Sequence, residues 1–369
     1  GRYAFRLAEG LVANEDVDSL KLFSTGGWVT NFDYLNVQSD VKTHTKSKIK
    51  SVLQRSDFSQ NVARKIFQAY RNKQFSRLTT GLDGFIFHGP NYQLMPFDGR
   101  SVVTIHDLSF LRHPEFHPKD RVLFWQNEIF KVAKRANHII TDSEFQRQEI
   151  IELLNVKPES VSAVYLGVEQ KFKAYSREES QQVLEKYKLN HKAYSLAVAT
   201  VEPRKNFMRL LQAFQQLPKN IRQAYPLAIA GDKGWLNKEV YDTISQLILK
   251  GEVVSLGYVD EADLPKLYAS ASVFLYPSLY EGFGLPVLEA MASGTPVLTS
   301  NTTSIPEVSG DACVLVDPLS VEEMTEKWAA LLESEEKRDI LSAKGLVQAS
   351  HFSWEACTQK TINIYSTLV

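Results

Sequence analysis

Short apolar runs rich in β-branched residues recur along this chain, and amphipathic stretches separate them. A run of this kind between turn residues is typical of a buried strand. Strands that alternate with helices form parallel sheets covered by helices on both faces. We predict strands within 84–89, 101–107, 138–143, 161–168, 194–200, 226–232, 253–259, 273–278, 295–300 and 313–318. The alternation therefore predicts an α/β fold.

Helices are predicted between these runs and at both ends of the chain. The segments 207–216, 239–249 and 321–332 carry apolar residues at helical spacing. Ser353 is a suitable N-cap for a last helix. In the first residues, GRYAFRLAEGLV, we predict a helix whose apolar face is marked by Phe5, Ala8 and Leu11 or Val12. Because an α/β domain ordinarily begins with a strand, we expect a first strand before residue 1.

Length and composition bound the class of protein. The 369 residues exceed one ordinary core and predict two domains of roughly 150–200 residues each. We place an N-terminal domain in 1–180, a C-terminal domain in 190–350 and a terminal helix in 351–369, with the junction in the polar run at about 173–192. Hydrophobic residues make up 44% of the chain, which excludes a disordered protein.

The two cysteines and the absence of targeting signals indicate a compartment. Cys313 and Cys357 have no CxxC or His/Cys metal spacing, which argues against a disulfide framework or a structural zinc and favours a reducing environment. No apolar run reaches the roughly 18 residues of a spanning helix, and no signal peptide is evident. We therefore predict a soluble, cytoplasmic protein.

One stretch is strongly basic although the whole chain has a formal net charge of −1. Between residues 42 and 77 there are ten Lys and Arg and one acidic residue, Asp57. One interpretation is a solvated helical face. The other is contact with an anionic surface, such as a membrane leaflet or a lipid-linked diphosphate. Among the possible anionic partners nucleic acid is the least favoured, because no nucleic-acid motif accompanies the basic stretch.

The segment YPSLYEGFGLPVLEAMASGTPVLTS, residues 276–300, places Glu281 and Glu289 around a Gly-Phe-Gly turn. Pro286 suits the first turn of a helix, and Gly294 followed by Thr-Pro ends it, so we predict a helix from about Leu285 to Ser293. The amides of 282–285 then point forward, where the helix end favours a phosphate.

A pair of hydrolytic carboxylates is the competing interpretation of the two glutamates. Such carboxylates face each other across one bond at roughly 5–9 Å. Eight residues along a helix axis span about 12 Å. The spacing therefore favours two carboxylates that flank a phosphate and bind hydroxyl groups on either side of it.

Two further segments follow predicted strands. Arg204 and Lys205, in VATVEPRKN, lie at the C-terminal rim of a parallel sheet, where two cations can neutralise a diphosphate, although such a pair is often solvated surface. His106, in VVTIHDLSFL, either hydrogen-bonds a substrate hydroxyl or caps a turn. The loops 231–236 and 256–259 either hold a nucleobase or have no ligand.

Absent motifs narrow the classes further. The only Asp-x-Asp, Asp16–Asp18, lies in an exposed polar stretch, and neither GxGxxG nor GxxxxGKS occurs. A nicotinamide dehydrogenase and a P-loop nucleotide hydrolase are therefore disfavoured.

Taken in series, these motifs resemble those of the retaining, nucleotide-sugar-dependent glycosyltransferases of the GT-B fold, glycosyltransferase family four. The resemblance is carried by EGFGLPVLE, VEPRKN, HDL, TDSEF and LGYVDEADLPKLYASASVFLYPS, and it covers most of the chain. It implies two Rossmann-like parallel-sheet domains that face a central cleft. The family's opening loop, Gly-Gly-Ile-Gly-Arg-Tyr, is represented only by Gly1, Arg2 and Tyr3, which supports the missing first strand.

The resemblance also implies roles for residues. Arg204 and Lys205 would bind the diphosphate together with the 282–285 amides, Glu281 would contact sugar hydroxyls, and Glu289 would contact the ribose. The catalytic residues would be His106, Arg204, Lys205 and Glu281. The donor-binding residues would be Gly282, Phe283, Gly284, Leu285, Glu289, Gly231, Lys233, Tyr258 and Val259. The acceptor side would include Gly1, Arg2, Tyr3 and Asp107.

The implied activity is retaining transfer of a hexose from a nucleotide sugar to a glycan or lipid-linked glycan, as in O-antigen or capsule synthesis. GDP-mannose is the favoured donor and UDP-glucose is nearly equal. No metal or cofactor is implied, the last helix would cross back to the N-terminal domain, and the enzyme would be peripheral at the inner face of the membrane. The alternatives are a hydrolase, phosphorylase or epimerase on this scaffold, and a non-catalytic glycan- or lipid-binding module.

Overall fold

A computed structural model of the protein describes residues 1–24, 27–29, 57–232, 234–235 and 238–369, and side chains in the helix that begins at Asp57 are described from residue 68. Lys233 and most of the basic stretch 42–77 lie outside these residues or side chains.

Twelve strands form in the described residues, and each of the ten predicted runs overlaps one of them. The strands are β1 (Leu22–Ser24), β2 (Gly27–Val29), β3 (Ile86–Gly89), β4 (Arg100–Thr104), β5 (His138–Thr141), β6 (Val161–Ala163), β7 (Ser195–Val198), β8 (Leu227–Ala230), β9 (Val253–Gly257), β10 (Val273–Tyr276), β11 (Val297–Ser300) and β12 (Val314–Val316). The short antiparallel pair β1–β2 was not predicted, because its residues lack a sustained apolar alternation.

Helices occupy the intervals between the strands. They are α1 (Arg2–Ala13), α2 (Asp57–Leu78), α3 (Ser109–Arg112), α4 (Lys119–Arg135), α5 (Glu144–Leu154), α6 (Arg177–Tyr187), α7 (Phe207–Gln216), α8 (Lys219–Ala224), α9 (Lys238–Leu249), α10 (Leu264–Ser270), α11 (Leu285–Ala292), α12 (Ile305–Ser309), α13 (Val321–Glu333), α14 (Glu335–Ala349) and α15 (Trp354–Ser366). None of the helices in these ranges is both long and apolar enough to cross a membrane.

The larger sheet has six strands in the order β12-β11-β10-β7-β8-β9, and all of its neighbouring pairs are parallel. The first strand of the sheet, β7, lies between β10 and β8, so the winding reverses direction beside it. Loops at the carboxyl ends of two such neighbouring strands diverge to opposite faces and leave a crevice, which is where open α/β sheets bind ligands. The order of the strands therefore points to the ends of β7 and β10.

The second sheet has four strands in the order β3-β4-β5-β6, of which β3–β4 and β4–β5 are parallel. The chain forms two compact units, one made of Gly1–Thr104, Lys131–Ile140 and Thr358–Val369, and the other of Ile105–Phe130 and Thr141–Cys357. The domain boundaries predicted from the sequence stay a prediction.

Packing in the second unit explains why its strands are continuous apolar runs. Helix α7 buries Phe214 and helix α13 buries Trp328, whose rings lie 5.4 Å apart. The Trp328 indole N–H donates to the Ser195 hydroxyl at 3.1 Å, so the one polar atom of this large side chain is satisfied in the core. All four residues of each of β8, β10 and β11 are buried although successive side chains point to opposite faces, so both faces of the sheet are covered and its strand ends are left for binding.

The buried face of α1 differs in part from the prediction. The buried face of α1 consists of Tyr3, Leu7, Ala8 and Leu11, whereas Phe5 is half-buried and Val12 is exposed. Tyr3, Leu7 and Leu11 are spaced four residues apart and therefore share one side of the helix. The polar run predicted as a junction contains α6, which a Ser176–Glu179 capping box begins. The predicted N-cap of the last helix is confirmed, since the Ser353 hydroxyl accepts the Ala356 N–H at 3.0 Å.

Candidate active site

Three charged side chains meet where β7 and β10 end. The Glu281 carboxylate accepts a hydrogen bond from Lys205 Nζ at 2.6 Å and another from Arg204 Nη1 at 3.1 Å. Arg204 and Lys205 lie in a 3₁₀ turn, Pro203–Lys205, that follows β7, and Glu281 follows β10. The topology of the sheet therefore brings together residues that are 76 and 77 positions apart in sequence.

Asn206 fixes the turn that carries the two cations. Its backbone is left-handed, with φ 60°, and its side-chain amide donates to the carbonyls of Pro277 and Pro318 at 3.0 and 2.6 Å. A buried asparagine tolerates this conformation and satisfies two carbonyl groups that helices and strands leave unpaired. The motif residue thus joins the loops after β7, β10 and β12.

Burial and charge oppose each other in this cluster. Burial raises the pKa of the Glu281 carboxyl, but the charges of Arg204 and Lys205 together outweigh it, so the pKa lies below its ordinary value. Burial and the neighbouring Arg204 charge lower the pKa of Lys205. Glu281 is therefore a carboxylate that already has two cationic partners.

Arg204 also contacts groups other than Glu281. Its Nε and Nη2 atoms donate to Glu202 Oε1 at 3.1 and 2.9 Å, and Nη1 donates to the Tyr280 carbonyl at 3.2 Å. Burial raises the pKa of the Asp107 carboxyl, but the Arg204 charge and hydrogen bonds from Ser109 outweigh it and lower the pKa overall. Asp107, predicted on the acceptor side, thus lies in the electrostatic field of the predicted diphosphate site.

The glycines before α11 allow close backbone contact. A Cβ at Gly282 would lie 2.1 Å from the His106 carbonyl oxygen, so only glycine fits there. Gly284 is the N-cap of α11 with φ 110°, a conformation that glycine adopts without strain. The Gly282 carbonyl accepts a hydrogen bond from Ser143 at 2.8 Å, and Ser143 also caps α5. The predicted helix ends one residue earlier than expected, at Ala292.

His106 is hydrogen-bonded through Nδ1 to Asp142 Oδ2 at 2.8 Å. Burial raises the pKa of the Asp142 carboxyl, although the nearby His106 opposes this shift. A histidine held through Nδ1 presents Nε2 on its other side, as a hydrogen-bonding residue requires. The partner, Asp142, was not predicted as a site residue; its place directly after β5, one residue before Ser143 in TDSEF, was the available signal.

A cluster of buried polar groups holds Tyr280, which directly precedes Glu281 in the loop after β10. The Tyr280 hydroxyl donates to Glu149 and accepts from Gln146 Nε2 at 2.7 Å and from the Leu108 amide at 3.3 Å. Arg112 Nε pairs with Glu149 at 3.0 Å. Sequence reasoning missed this cluster, because its members come from α3, α5 and the loop after β10.

A cavity of about 420 Å³ opens beside the charged cluster, a size within the range typical of small-molecule sites. Its walls include Arg204, Lys205 and Pro286, the last in the first turn of α11. Among the lining side chains, Arg121, Glu202 and Tyr276 were not predicted as site residues, and Trp235 belongs to the predicted loop 231–236. Lys205 Nζ lies 4.8 Å from the centre of the Tyr276 ring.

Glu289 is placed differently from Glu281. It is buried within α11 and accepts a hydrogen bond from the Tyr268 hydroxyl at 3.2 Å. It does not line the cavity, and its predicted contact with a ribose stays a prediction. Leu285 begins α11, and Phe283 is buried between the rings of Tyr165 and Phe352 at 6.3 and 5.8 Å.

The remaining predicted residues occupy loops or the other unit. Gly231, with φ 145°, follows β8, where a Cβ would lie 2.0 Å from the Ala199 carbonyl oxygen. After β9, Tyr258 is exposed and Val259 is buried. In the first unit, Gly1 precedes α1, Arg2 begins it, and Tyr3 hydrogen-bonds Thr104 at 2.9 Å. Within the described ranges no cluster of His, Cys, Asp or Glu has the form of a metal site.

Comparison with known proteins identifies the family. Residues 177–346 match the model of glycosyl transferases group 1. The O-antigen chain mannosyltransferase B of Escherichia coli is 38% identical over 371 residues, which cover 100% of this chain and 96% of that protein. The chain belongs to the glycosyl transferases group 1 family.

Two further similarities agree with this assignment. The serotype-specific mannosyltransferase WbdA of Escherichia coli is 31% identical over 76% of this chain, although the match spans only 36% of that longer protein. The crystal structure of Anabaena HepE in complex with UDP and glucose superposes with a TM-score of 0.63, at 21% identity, over 73% of this chain and 72% of that one. The fold is the GT-B fold that the sequence resemblance implied, and the protein is a glycosyltransferase.

Proposed function

We propose that this glycosyltransferase transfers mannose from GDP-mannose to a growing O-antigen glycan or its lipid-linked precursor. The observation that carries the proposal is the cavity at the ends of β7 and β10, where Arg204 and Lys205 form part of the wall beside the first turn of α11. Two cations beside a helix N-terminus suit a diphosphate. The choice of mannose is supported by 38% identity to an O-antigen chain mannosyltransferase along the whole chain.

In the proposed reaction the bond between the sugar anomeric carbon and the phosphate oxygen breaks, and the acceptor hydroxyl oxygen bonds to that carbon on the same face. Because the acceptor attacks on the face from which the phosphate departs, the configuration is retained. The acceptor proton passes to the departing phosphate, so no separate base is needed. Arg204 and Lys205 stabilise the charge on the diphosphate. Glu281 contacts sugar hydroxyls, Glu289 the ribose, and His106 the sugar. No metal takes part in the proposal.

The acceptor side of the proposal rests on sequence. The basic stretch 42–77 suits an anionic, lipid-linked acceptor or the anionic inner leaflet of a membrane. Co-sedimentation with vesicles of anionic lipid is expected to weaken steeply as salt rises, because exposed charges are screened beyond about 8 Å at physiological ionic strength. Binding that is independent of salt would contradict this part of the proposal.

The deciding experiment compares nucleotides and then products. Calorimetric titration with GDP, UDP, ADP and dTDP is expected to show tight binding of GDP, and Arg204→Ala is expected to abolish it. With GDP-mannose and a mannose-terminated acceptor, NMR of the product should show an α linkage, before and after treatment with a chelator. Preference for UDP would overturn the proposal that GDP-mannose is the donor. Release of mannose without acceptor would indicate a hydrolase.

A further inference from the structure

The ion-pair cluster around Arg204 and Lys205, at the wall of the cavity, does not favour an anion by itself. Arg204 and Lys205 supply two positive charges, and Glu281 and Glu202 supply two negative charges in direct contact with them. Asp107 is a further carboxylate in the field of Arg204, and its pKa is lowered overall although burial opposes the shift. The cluster is therefore neutral or negative before any ligand binds, and a diphosphate needs a further positive charge.

Arg121 is the further cation on the wall of the cavity. It lies in the first turn of α4 and is exposed. Among the described residues its guanidinium forms no ion pair, unlike Arg204. The Arg121 charge nevertheless acts on a buried side chain, His117. Burial first, and then the charges of Arg121 and Arg204, lower the pKa of His117, and the charge of the nearby Asp107 opposes this shift.

The segment that carries Arg121 is fixed by two hydrogen bonds. The Trp235 indole N–H, itself on the cavity wall, donates to the Phe116 carbonyl at 2.8 Å. His117 Nε2 lies 2.8 Å from the Ser109 hydroxyl. That hydroxyl donates its own proton to Asp107 at 2.6 Å, so it accepts from His117. The segment four and five residues before Arg121 is thus tied to Trp235 on the cavity wall and, through Ser109, to Asp107.

We propose that Arg121 binds the diphosphate of the nucleotide sugar and supplies the positive charge that the neutralised Arg204–Lys205–Glu281 cluster lacks. The proposal rests on the proposed function and adds a residue to it. An arginine side chain offers a planar fork of N–H groups that matches phosphate oxygens. Its position at the amino end of α4, where the helix dipole is positive, favours the same anion. Arg121 is therefore a donor-binding residue outside the motifs by which the family was recognised.

The test uses the whole protein and two probes, inorganic pyrophosphate and GDP, in calorimetric titrations. Arg121→Gln removes the charge and keeps most of the side-chain length, and Arg121→Lys keeps the charge. Lys119→Gln, two residues away and also exposed, is the matched control. We expect Arg121→Gln to weaken both probes about tenfold to a hundredfold, Arg121→Lys to weaken them less, and Lys119→Gln to bind as the wild type does.

Each outcome decides between the proposals. Unchanged pyrophosphate affinity in Arg121→Gln, or no pyrophosphate binding by the wild type, would overturn the role of Arg121. If pyrophosphate binds and depends on Arg121 but no nucleoside diphosphate binds more tightly than pyrophosphate, the proposed function fails while this role stands. The melting temperature of Arg121→Gln should equal that of the wild type, whereas a structural role would lower it.

Discussion

Lys205 Nζ lies 2.6 Å from Glu281 Oε1 although 76 residues separate them in sequence. Both side chains are more than four-fifths buried, and Arg204 completes the cluster at 3.1 Å. A buried ion pair of this geometry contributes little net stability when complete, but losing one partner leaves buried charge without compensation. The stability of a Glu281 variant, and the dependence of that stability on pH, should reflect this asymmetry.

Replacement of Glu281 by glutamine should destabilise the protein as well as inactivate it. The amide cannot neutralise Arg204 and Lys205, so we expect a loss of about 3 kcal/mol in the free energy of unfolding. Chemical denaturation of Glu281→Gln measures the loss. Glu152→Gln, which removes an exposed partner of Arg112, should denature at nearly the wild-type concentration. Equal stability of all three proteins would show that the Glu281 cluster is not buried in solution.

Acid should weaken the wild type through the same carboxylate. Because the folded-state pKa of Glu281 lies below its value of 4.5 in the unfolded chain, its stabilising contribution is complete above that value and disappears as the pH falls through the folded pKa. The difference in stability between wild type and Glu281→Gln should therefore be largest near pH 7 and shrink below about pH 4.5. A difference that is constant from pH 7 to pH 3 would contradict the lowered pKa.

Gly282→Ala tests the close approach of two loops. The added Cβ would lie 2.1 Å from the His106 carbonyl oxygen, so the loop must move, and we expect a loss of at least tenfold in kcat/KM together with a lower melting temperature. Gly84→Ala is the control, since its Cβ would meet nothing within 4 Å. Wild-type activity in Gly282→Ala would mean that the loop lies farther from His106 than the structure places it.

Tyr280→Phe isolates the polar support beneath the loop. Removal of the hydroxyl leaves buried Glu149 and Gln146 without a shared partner, which should cost about 1–3 kcal/mol of stability. Thermal denaturation measures the loss, with Tyr70→Phe, at an exposed tyrosine, as control. Equal melting temperatures for the two variants would remove Tyr280 from the support of the site.

Glu289→Gln distinguishes contact with a ribose from contact with phosphate. If Glu289 binds ribose hydroxyls, the variant should lose affinity for GDP and keep its affinity for pyrophosphate. Tyr268→Phe, which removes the observed donor to Glu289, is the companion variant, since it perturbs the carboxylate without neutralising it. A parallel loss of both ligands in Glu289→Gln would indicate disruption of α11 instead.

The sequence by itself determined the elements of this fold. Buried strands of parallel sheets are continuous apolar runs bounded by turn residues, so the ten predicted strands and helices such as Phe207–Gln216 were predictable from local composition. The motif residues were predictable for a related reason: Asn206 and Gly284 occupy backbone conformations that few residue types adopt. Both kinds of information are encoded within a few residues.

Only the tertiary structure decided which charges meet. The placement of β7 beside β10 puts Glu281 against Arg204 and Lys205, and thereby shows that the two cations are already neutralised. Likewise, Arg121 lines the cavity from α4, where the sequence predicted no site residue, and Trp235 lines it from the loop 231–236. Pairing across a sheet depends on strand order rather than on spacing in sequence, and electrostatic balance depends on distances in space. For this reason the charge available to a diphosphate was visible only in the folded protein.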